Sequence, residues 1–163
     1  NRYIVENIDT PEEINGLNDL LYISYLDMDD KLPSGWWTWN TEDGNIKVEI
    51  TEEGAVINNS GNDIGILLSS KFKLKPSTTY TIELDVEGNL EKDFLQLYIL
   101  SDDGTNMQFT KRPLNESYVD KEYKYTFTTT DDIGEGNQDI RFYHHGNSDE
   151  KFILKQVMIY ETK

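Results

Sequence analysis

The segment at residues 79–87 alternates apolar and polar side chains without interruption. Its apolar members are Tyr80, Ile82, Leu84 and Val86, and Thr, Glu or Asp stands between each pair of them. A helix would repeat its apolar positions every three or four residues, so this period of two excludes a helix here. It predicts a strand that buries one face in an antiparallel sheet.

The same period recurs along most of the chain. At residues 45–51 it places Ile46, Val48 and Ile50 on one face. Shorter segments predict strands at 20–25, 55–57, 64–68, 94–101, 105–110, 117–129, 138–145 and 152–160. Turn sequences such as Asp102-Asp103-Gly104 separate them, and no long helical period is present. About ten strands without a long helix predict an all-β fold, a two-sheet antiparallel β-sandwich.

A length of 163 residues fits one domain with its own core. We expect residues 17–163 to form the sandwich and residues 1–16 to be a linker or an N-terminal tether. In this leader Thr10, Pro11 and Glu13 have the pattern that caps one short helical turn. The first residue is Asn1 rather than Met, so we interpret the chain as part of a longer protein.

The charge of the chain excludes several classes of partner. Acidic residues number 31 and basic residues 15, which gives a net charge of −16. Such a charge repels nucleic-acid phosphates and anionic lipid surfaces, and no apolar run approaches the length that crosses a bilayer. Cysteine is absent, so disulfides, thiolate metal sites and thiol catalysis are excluded. We therefore expect neither a nucleic-acid nor a membrane partner.

All three tryptophans lie within four positions, at Trp36, Trp37 and Trp39. If residues 34–40 form a strand, Trp36 points to one face while Trp37 and Trp39 point to the other. One face then belongs to the core, and the other needs a second explanation. The outward pair either covers an edge or a small cluster of the sandwich, or it forms an aromatic platform on which a sugar ring stacks.

Two further strands carry recognition-type side chains opposite their core faces. At residues 94–100 the face opposite Leu95, Leu97 and Ile99 carries Gln96 and Tyr98, together with Phe94 and Leu100. At residues 139–145 the side opposite Ile140 and Phe142 carries Arg141, Tyr143 and His145. Amide, phenol, guanidinium and imidazole groups offer planar donors and acceptors for sugar hydroxyls. The alternative is that they are ordinary cross-strand pairs on a solvated face.

The order of these features resembles a known family. The matching pieces are Asp19-Leu20-Leu21, the Trp-rich segment after Pro33, Gly44 before an Ile-Lys-Val strand, Gly65-Ile66, residues 74–82, residues 125–128 and residues 153–161. Together they are similar to carbohydrate-binding modules of the galactose-binding-domain-like jelly-roll type, in the four/nine/twenty-two group. The versions in tail and baseplate proteins of phages of Gram-positive bacteria are the most similar. The resemblance spans residues 17–161, and Lys-Pro-Ser-Thr-Thr-Tyr-Thr at residues 75–81 is its most specific piece.

The resemblance implies a jelly-roll sandwich that holds glycans on a concave face or at its edge loops. It also implies a structural calcium ion near the chain ends. In members with the ion an acidic residue often stands in the last strand, where this chain has Lys155-Gln156. Asp27, Asp29 and Asp30 could ligate such an ion, but we interpret them as solvated turn residues. We therefore predict no metal ligand and no cofactor, with a structural calcium ion as the alternative.

We predict that the chain is not an enzyme. Its acidic residues lie mostly at turns or on polar strand faces, whereas acid–base catalysis requires a carboxyl whose pKa is raised by burial. His144 and His145 point to opposite faces of one strand, so they cannot form a same-face metal pair. No nucleophile-elbow, phosphate-loop or zinc sequence is present.

The sequence leads to a noncatalytic carbohydrate-binding module as the first hypothesis. Trp37, Trp39, Tyr98 and Tyr143 would stack on sugar rings, and Gln96, Arg141 and His145 would bond their hydroxyls. We expect an accessory host-adhesion domain of a phage tail or baseplate protein, in the virion or extracellular, with a cell-wall or other polysaccharide and other subunits of the assembly as partners. The alternatives are a structural protein–protein docking module and a binding module appended to a glycoside hydrolase.

Overall fold

A computed structural model of the chain describes residues 19–90, 94–112, 114, 118–119 and 122–162. The expected linker or tether at residues 1–16 lies outside these residues. Between residues 117 and 129, where one long strand is predicted, the described residues form two strands that pair with each other. The other predicted strands are present within one to three residues of their expected bounds.

The larger of two sheets has seven strands, numbered here in chain order. They are β1 (Asp19–Ser24), β3 (Ile46–Thr51), β4 (Gly54–Asn59), β6 (Thr79–Glu87), β9 (Tyr118–Val119), β10 (Glu122–Thr128) and β12 (Phe152–Glu161). Their order is β3–β4–β12–β6–β10–β9, and β1 also pairs with β12. The long strand β12 is therefore central, with β6 along its length and β4 and β1 at successive segments.

The smaller sheet has five strands in the order β2–β5–β11–β7–β8. These are β2 (Trp37–Asn40), β5 (Gly65–Leu68), β7 (Leu95–Ser101), β8 (Met107–Lys111) and β11 (Gln138–His144). All pairings in both sheets are antiparallel. A short 3-10 helix at Tyr25–Asp27 follows β1. The prediction of an all-β, two-sheet antiparallel sandwich is confirmed.

The core lies between the two sheets and is built from the alternating apolar positions. Ile82 and Leu84 of β6 belong to the same core cluster as Leu97 and Ile99 of β7 in the other sheet, and each of the four is at most 1% exposed. Near β8, the ring of Phe109 packs on Phe127 of the other sheet at 5.3 Å between centroids. Burial of each such side chain contributes about 1.5–3 kcal/mol to folding. Among the described residues no helix is long and apolar enough to cross a bilayer.

The tryptophan segment begins as a turn and only then becomes a strand. Gly35 has a φ of 85°, and a Cβ there would lie 2.9 Å from Cβ of Ser70. The Trp36 amide donates to the Pro33 carbonyl across this turn, so β2 starts at Trp37 rather than at residue 34. Trp36 is 6% exposed and packs edge-on against Tyr25. The predicted division into one inward and two outward tryptophans is therefore observed, with a shorter strand.

Candidate functional site

The register of the five-stranded sheet brings six of the seven predicted binding residues into two rows on its outer face. In the first row, Trp37 pairs with Leu68, Leu68 with Arg141, and Arg141 with Tyr98. In the second row Trp39, Ile66, Tyr143 and Gln96 are paired in the same order. Each row covers three strand spacings, roughly 14 Å. We call the surface formed by Trp37, Trp39, Gln96, Tyr98, Arg141 and Tyr143 the aromatic face.

A cleft of about 290 Å³ runs across one side of the aromatic face. The two tryptophans form one wall, and they are 46% and 45% exposed. Ile66 and Leu68 of β5 form an apolar floor that is almost fully buried. The cleft-lining residues are Trp37, Trp39, Ile66, Leu68, Asp102, Asp103, Arg141 and Tyr143. Apolar surface with a few polar groups at its border is the usual composition of a small-molecule or sugar site.

Beside the cleft, two tyrosines and a glutamine continue the aromatic face. The rings of Tyr98 and Tyr143 are 4.5 Å apart between centroids and tilted by 49°. The Tyr98 hydroxyl donates to Oε1 of Gln96 at 3.0 Å and accepts from Arg112 at 3.3 Å. Arg112 also lies over the Tyr98 ring, 5.9 Å from its centroid. These contacts fix the tilt of Tyr98 at the end of the face farthest from the tryptophans.

Arg141 is fixed by a buried carboxylate that stands two residues before it on the same face of β11. Asp139 is fully buried, and its Oδ1 accepts from Nε of Arg141 at 2.7 Å. A second guanidinium nitrogen donates to the Ser101 carbonyl at 3.1 Å. Burial alone would lower the pKa of Arg141, but its contacts with Asp139 and Tyr143 together raise the pKa above its ordinary value. Arg141 therefore stays charged, with its charge offset by Asp139. Sequence reasoning, which placed acidic residues at turns and polar faces, missed this carboxylate.

The turn between β7 and β8 supplies two cleft residues that the sequence analysis did not select. Asp102 and Asp103 are exposed and lie at the border of the cleft. Oδ1 of Asp103 accepts from Ser101 Oγ at 2.6 Å, from the Thr105 amide at 3.0 Å and from Thr105 Oγ1 at 2.7 Å. These hydrogen bonds lower the pKa of Asp103 to about 2. The available signal was the position of this turn, directly after the strand that carries Gln96 and Tyr98.

The structure does not bring His145 to the cleft. It follows the last residue of β11, and its backbone amide donates to the Phe94 carbonyl at 3.0 Å. Its Nε2 is buried and has no hydrogen-bond partner among the described residues. Of the seven predicted binding residues, four line the cleft, Gln96 and Tyr98 adjoin it, and His145 lies beyond its end. The assignment of His145 to sugar binding thus has no geometric support from the cleft.

The neighbouring histidine belongs to the core. His144 is fully buried and packs edge-on against Phe152 of the other sheet. Its Nδ1 accepts from the Gly146 amide at 3.1 Å, so Nε2 carries the proton and donates to the Glu150 carbonyl at 2.9 Å. Burial lowers the pKa of His144 below 6.5. Adjacent residues of a strand point to opposite faces of the sheet, so His144 and His145 do not share one environment.

The donor set expected for a structural calcium ion does not fit the described residues. No group of three or more His, Cys, Asp or Glu side chains among them is arranged to hold a metal ion. In the last strand, Lys155 pairs with Glu87 at 2.5 Å. Calcium needs six to eight oxygen ligands, and the ammonium group of Lys155 supplies none at the position where an acidic ligand is expected.

Comparison with known proteins identifies one family and several similar folds. The family described as "Carbohydrate binding domain" matches residues 22–150. A solved structure described as "CBM4 structure and function" has a TM-score of 0.61 and 17% identity, covering 78% of this chain and 86% of the other. The structure "BiXyn10A CBM1 APO" has a TM-score of 0.60 and 14% identity, covering 88% and 99%.

The same fold also occurs in proteins with a different description. A cyclase from Fischerella sp. has a TM-score of 0.53 and 16% identity, covering 83% of this chain and 87% of the other. No curated protein sequence matches the chain. At these identities the solved structures establish the sandwich fold, which is the jelly roll of carbohydrate-binding modules.

Proposed function

Because the chain belongs to the carbohydrate-binding domain family, we propose that it binds a polysaccharide along the aromatic face of its five-stranded sheet. One observation carries this proposal. Trp37 and Trp39 stand side by side on the outer face of an edge strand, each almost half exposed, over the apolar floor of the cleft. A sugar ring has an apolar face of its own, so stacking on these rings removes apolar surface from water on both partners.

The polar groups of the face are arranged for hydroxyl recognition. The Tyr98 hydroxyl and the Gln96 amide are joined by a hydrogen bond, and Arg141 is held by the buried Asp139. Side chains that are already fixed lose little conformational freedom when a ligand binds. Arg141 contributes mainly by positioning, since Asp139 and the β7–β8 turn already accept from its Nε and one terminal nitrogen. The ligand is a chain of several sugars, because each row of side chains is far longer than one sugar ring.

In this proposal the domain binds and does not catalyse. The buried carboxylate at the face, Asp139, is paired with Arg141 and Lys71, so its role is to position these side chains. The exposed carboxylate Asp103 has a pKa lowered to about 2, which makes it a poor general acid near neutral pH. Both are suited to binding and positioning.

The setting we propose is an accessory adhesion domain of a phage tail or baseplate protein, in the virion or outside the cell. The support is the sequence resemblance to such modules, above all at residues 75–81. An open cleft such as this one binds weakly per site, so repeated display on other subunits of an assembly would supply avidity. The ligand in that setting is a cell-wall or other polysaccharide.

The test is calorimetry with a panel of neutral polysaccharides, comparing the wild type with Trp37→Ala, Trp39→Ala and the double variant. We expect each single change to cost about 2 kcal/mol, roughly a 30-fold loss of affinity, because each removes a central aromatic contact. Leu26→Ala is the matched control, since Leu26 is 51% exposed but lies in the 3-10 helix away from the cleft. The control should bind like the wild type.

Two results would overturn the proposal. One is the absence of binding to every glycan of a broad array at millimolar sugar. The other is full glycan binding by the double tryptophan variant together with loss of a protein partner in pull-down experiments. The second result would establish the docking alternative instead, because exposed tryptophans also serve as protein–protein anchors.

A further inference from the structure

We propose that Asp102 and Asp103 are specificity-determining residues that make the cleft accept uncharged polysaccharides and reject anionic ones. This inference rests on the proposed function, since it assigns the ligand class of the same cleft. Neither residue belongs to the aromatic face that the sequence predicted. Both enter the cleft through the β7–β8 turn, which places two adjacent carboxylates at its border.

The turn holds these carboxylates in place. The Asp102 amide donates to the Asn137 carbonyl at 3.0 Å, and the Gly104 amide donates to the Ser101 carbonyl at 2.8 Å. A Cβ built on Gly136 would lie 3.2 Å from Oδ1 of Asp102, so that side chain packs against the loop before β11. Three donors converge on Oδ1 of Asp103. The negative charge therefore has a fixed position.

The cation in the cleft does not offset this charge. Arg141 is the one basic residue among the described residues that line the cleft, and it is already paired with the buried Asp139. Lys71 contacts the same Asp139 carboxylate at 3.4 Å. Arg112 lies at the far end of the aromatic face, against Tyr98, and does not line the cleft. The cleft itself thus keeps an excess of negative charge, in a chain whose net charge is −16.

A carboxylate treats neutral and anionic sugars differently. Hydroxyl groups donate hydrogen bonds to carboxylate oxygens, and such charge-assisted bonds are stronger than neutral ones. A uronate or phosphate group on the ligand brings a further negative charge near the two fixed ones, and these like charges repel each other. The geometry therefore favours a glycan of uncharged sugars over an anionic wall polymer.

The experiment compares matched polymers at low ionic strength. Xylan, hydroxyethylcellulose and a β-1,3-glucan are each tested beside the carboxymethylated derivative of the same polymer. We expect the wild type to prefer the neutral member of a bound pair by about three- to tenfold, and expect 0.5 M NaCl to reduce that preference because salt screens exposed charges.

Two double variants test whether Asp102 and Asp103 cause the preference for neutral polymers. Asp102→Asn/Asp103→Asn removes both charges while the amide oxygen retains an acceptor for the turn, so its preference should fall below about twofold. Asp63→Asn/Asp149→Asn changes the net charge equally at exposed loop residues that do not line the cleft. This control should keep the wild-type preference.

The outcomes separate this inference from the proposed function. Equal affinity of the wild type for a neutral polymer and its carboxymethylated derivative would overturn the inference and leave glycan binding intact. A preference that persists in Asp102→Asn/Asp103→Asn would overturn the assignment to these two residues. Failure to bind any neutral or carboxymethylated polymer would overturn the proposed function and the inference together.

Discussion

The outer faces of the two sheets differ in what their side chains contact. On the seven-stranded sheet the polar groups pair with each other, as the buried Tyr160 does with Glu83 at 2.5 Å and Lys155 with the exposed Glu87 at 2.5 Å. On the five-stranded sheet the surface is aromatic, and its ion pair joins Arg141 to the fully buried Asp139. The polar side chains of the seven-stranded sheet are already paired with each other. The two half-exposed tryptophans of the five-stranded sheet leave apolar surface that a ligand can bury.

The two kinds of ion pair also have different consequences for stability. A pair at the surface remains hydrated, so removing one partner costs little. A buried pair has lost its water, so removing one partner leaves the other charge without compensation. The five-stranded sheet therefore depends on Asp139 to hold Arg141 in place, and the seven-stranded sheet depends on no single surface pair.

The largest effect is expected from Asp139→Asn. The change leaves Arg141, whose side chain is only 13% exposed, without its counter-charge, and we expect the free energy of unfolding to fall by about 3 kcal/mol. Urea unfolding measures this loss. Polysaccharide affinity should fall as well, because Arg141 would no longer be held beside Tyr143. A loss of less than about 1 kcal/mol would contradict the distinction between the two faces.

The second-largest effect is a dependence of the free energy of unfolding on pH, caused by His144 on the inner side of the five-stranded sheet. Because burial lowers the pKa of His144, its contribution to stability is complete above pH 6.5 and is lost as the pH falls through 6.5 toward the lower folded value. Within this window the free energy of unfolding should fall by up to about 1.4 kcal/mol per pH unit.

Urea unfolding at pH 7.5, 6.5 and 5.5 tests this pH dependence. His144→Gln should have a shallower dependence than the wild type. Equal slopes in the wild type and His144→Gln would show that His144 is not the group that titrates.

The smallest effect is expected from Glu87→Gln. It makes the same carboxylate-to-amide change as Asp139→Asn, but on the seven-stranded sheet, where Glu87 is 60% exposed. We expect a loss of about 0.5 kcal/mol or less in the same urea experiment, and an unchanged polysaccharide affinity. If Glu87→Gln lowered the free energy of unfolding as much as Asp139→Asn does, the proposed difference between surface and buried ion pairs would be wrong.

Local alternation predicted much of the fold and part of the candidate site. It separated Trp36 from Trp37 and Trp39, and it put Arg141 and Tyr143 opposite Phe142, because side-chain direction in a strand follows from neighbouring positions alone. The period-two alternation does not predict side-chain positions at residues that lie outside a strand. His145 lies past the end of β11, and Asp103 lies in a turn, so neither position follows from a period of two.

The sequence by itself determined the all-β sandwich, the inward and outward faces of its strands and the family to which the chain is similar. The tertiary structure decided which strands are neighbours. Only the order β2–β5–β11–β7 places Trp37, Arg141 and Tyr98 in one row, although they are far apart in the chain. It also decided that Asp139 would be buried beside Arg141 and that the β7–β8 turn would border the cleft. Side-chain alternation is a local property of the backbone, whereas strand order depends on hydrogen bonds and packing between distant segments.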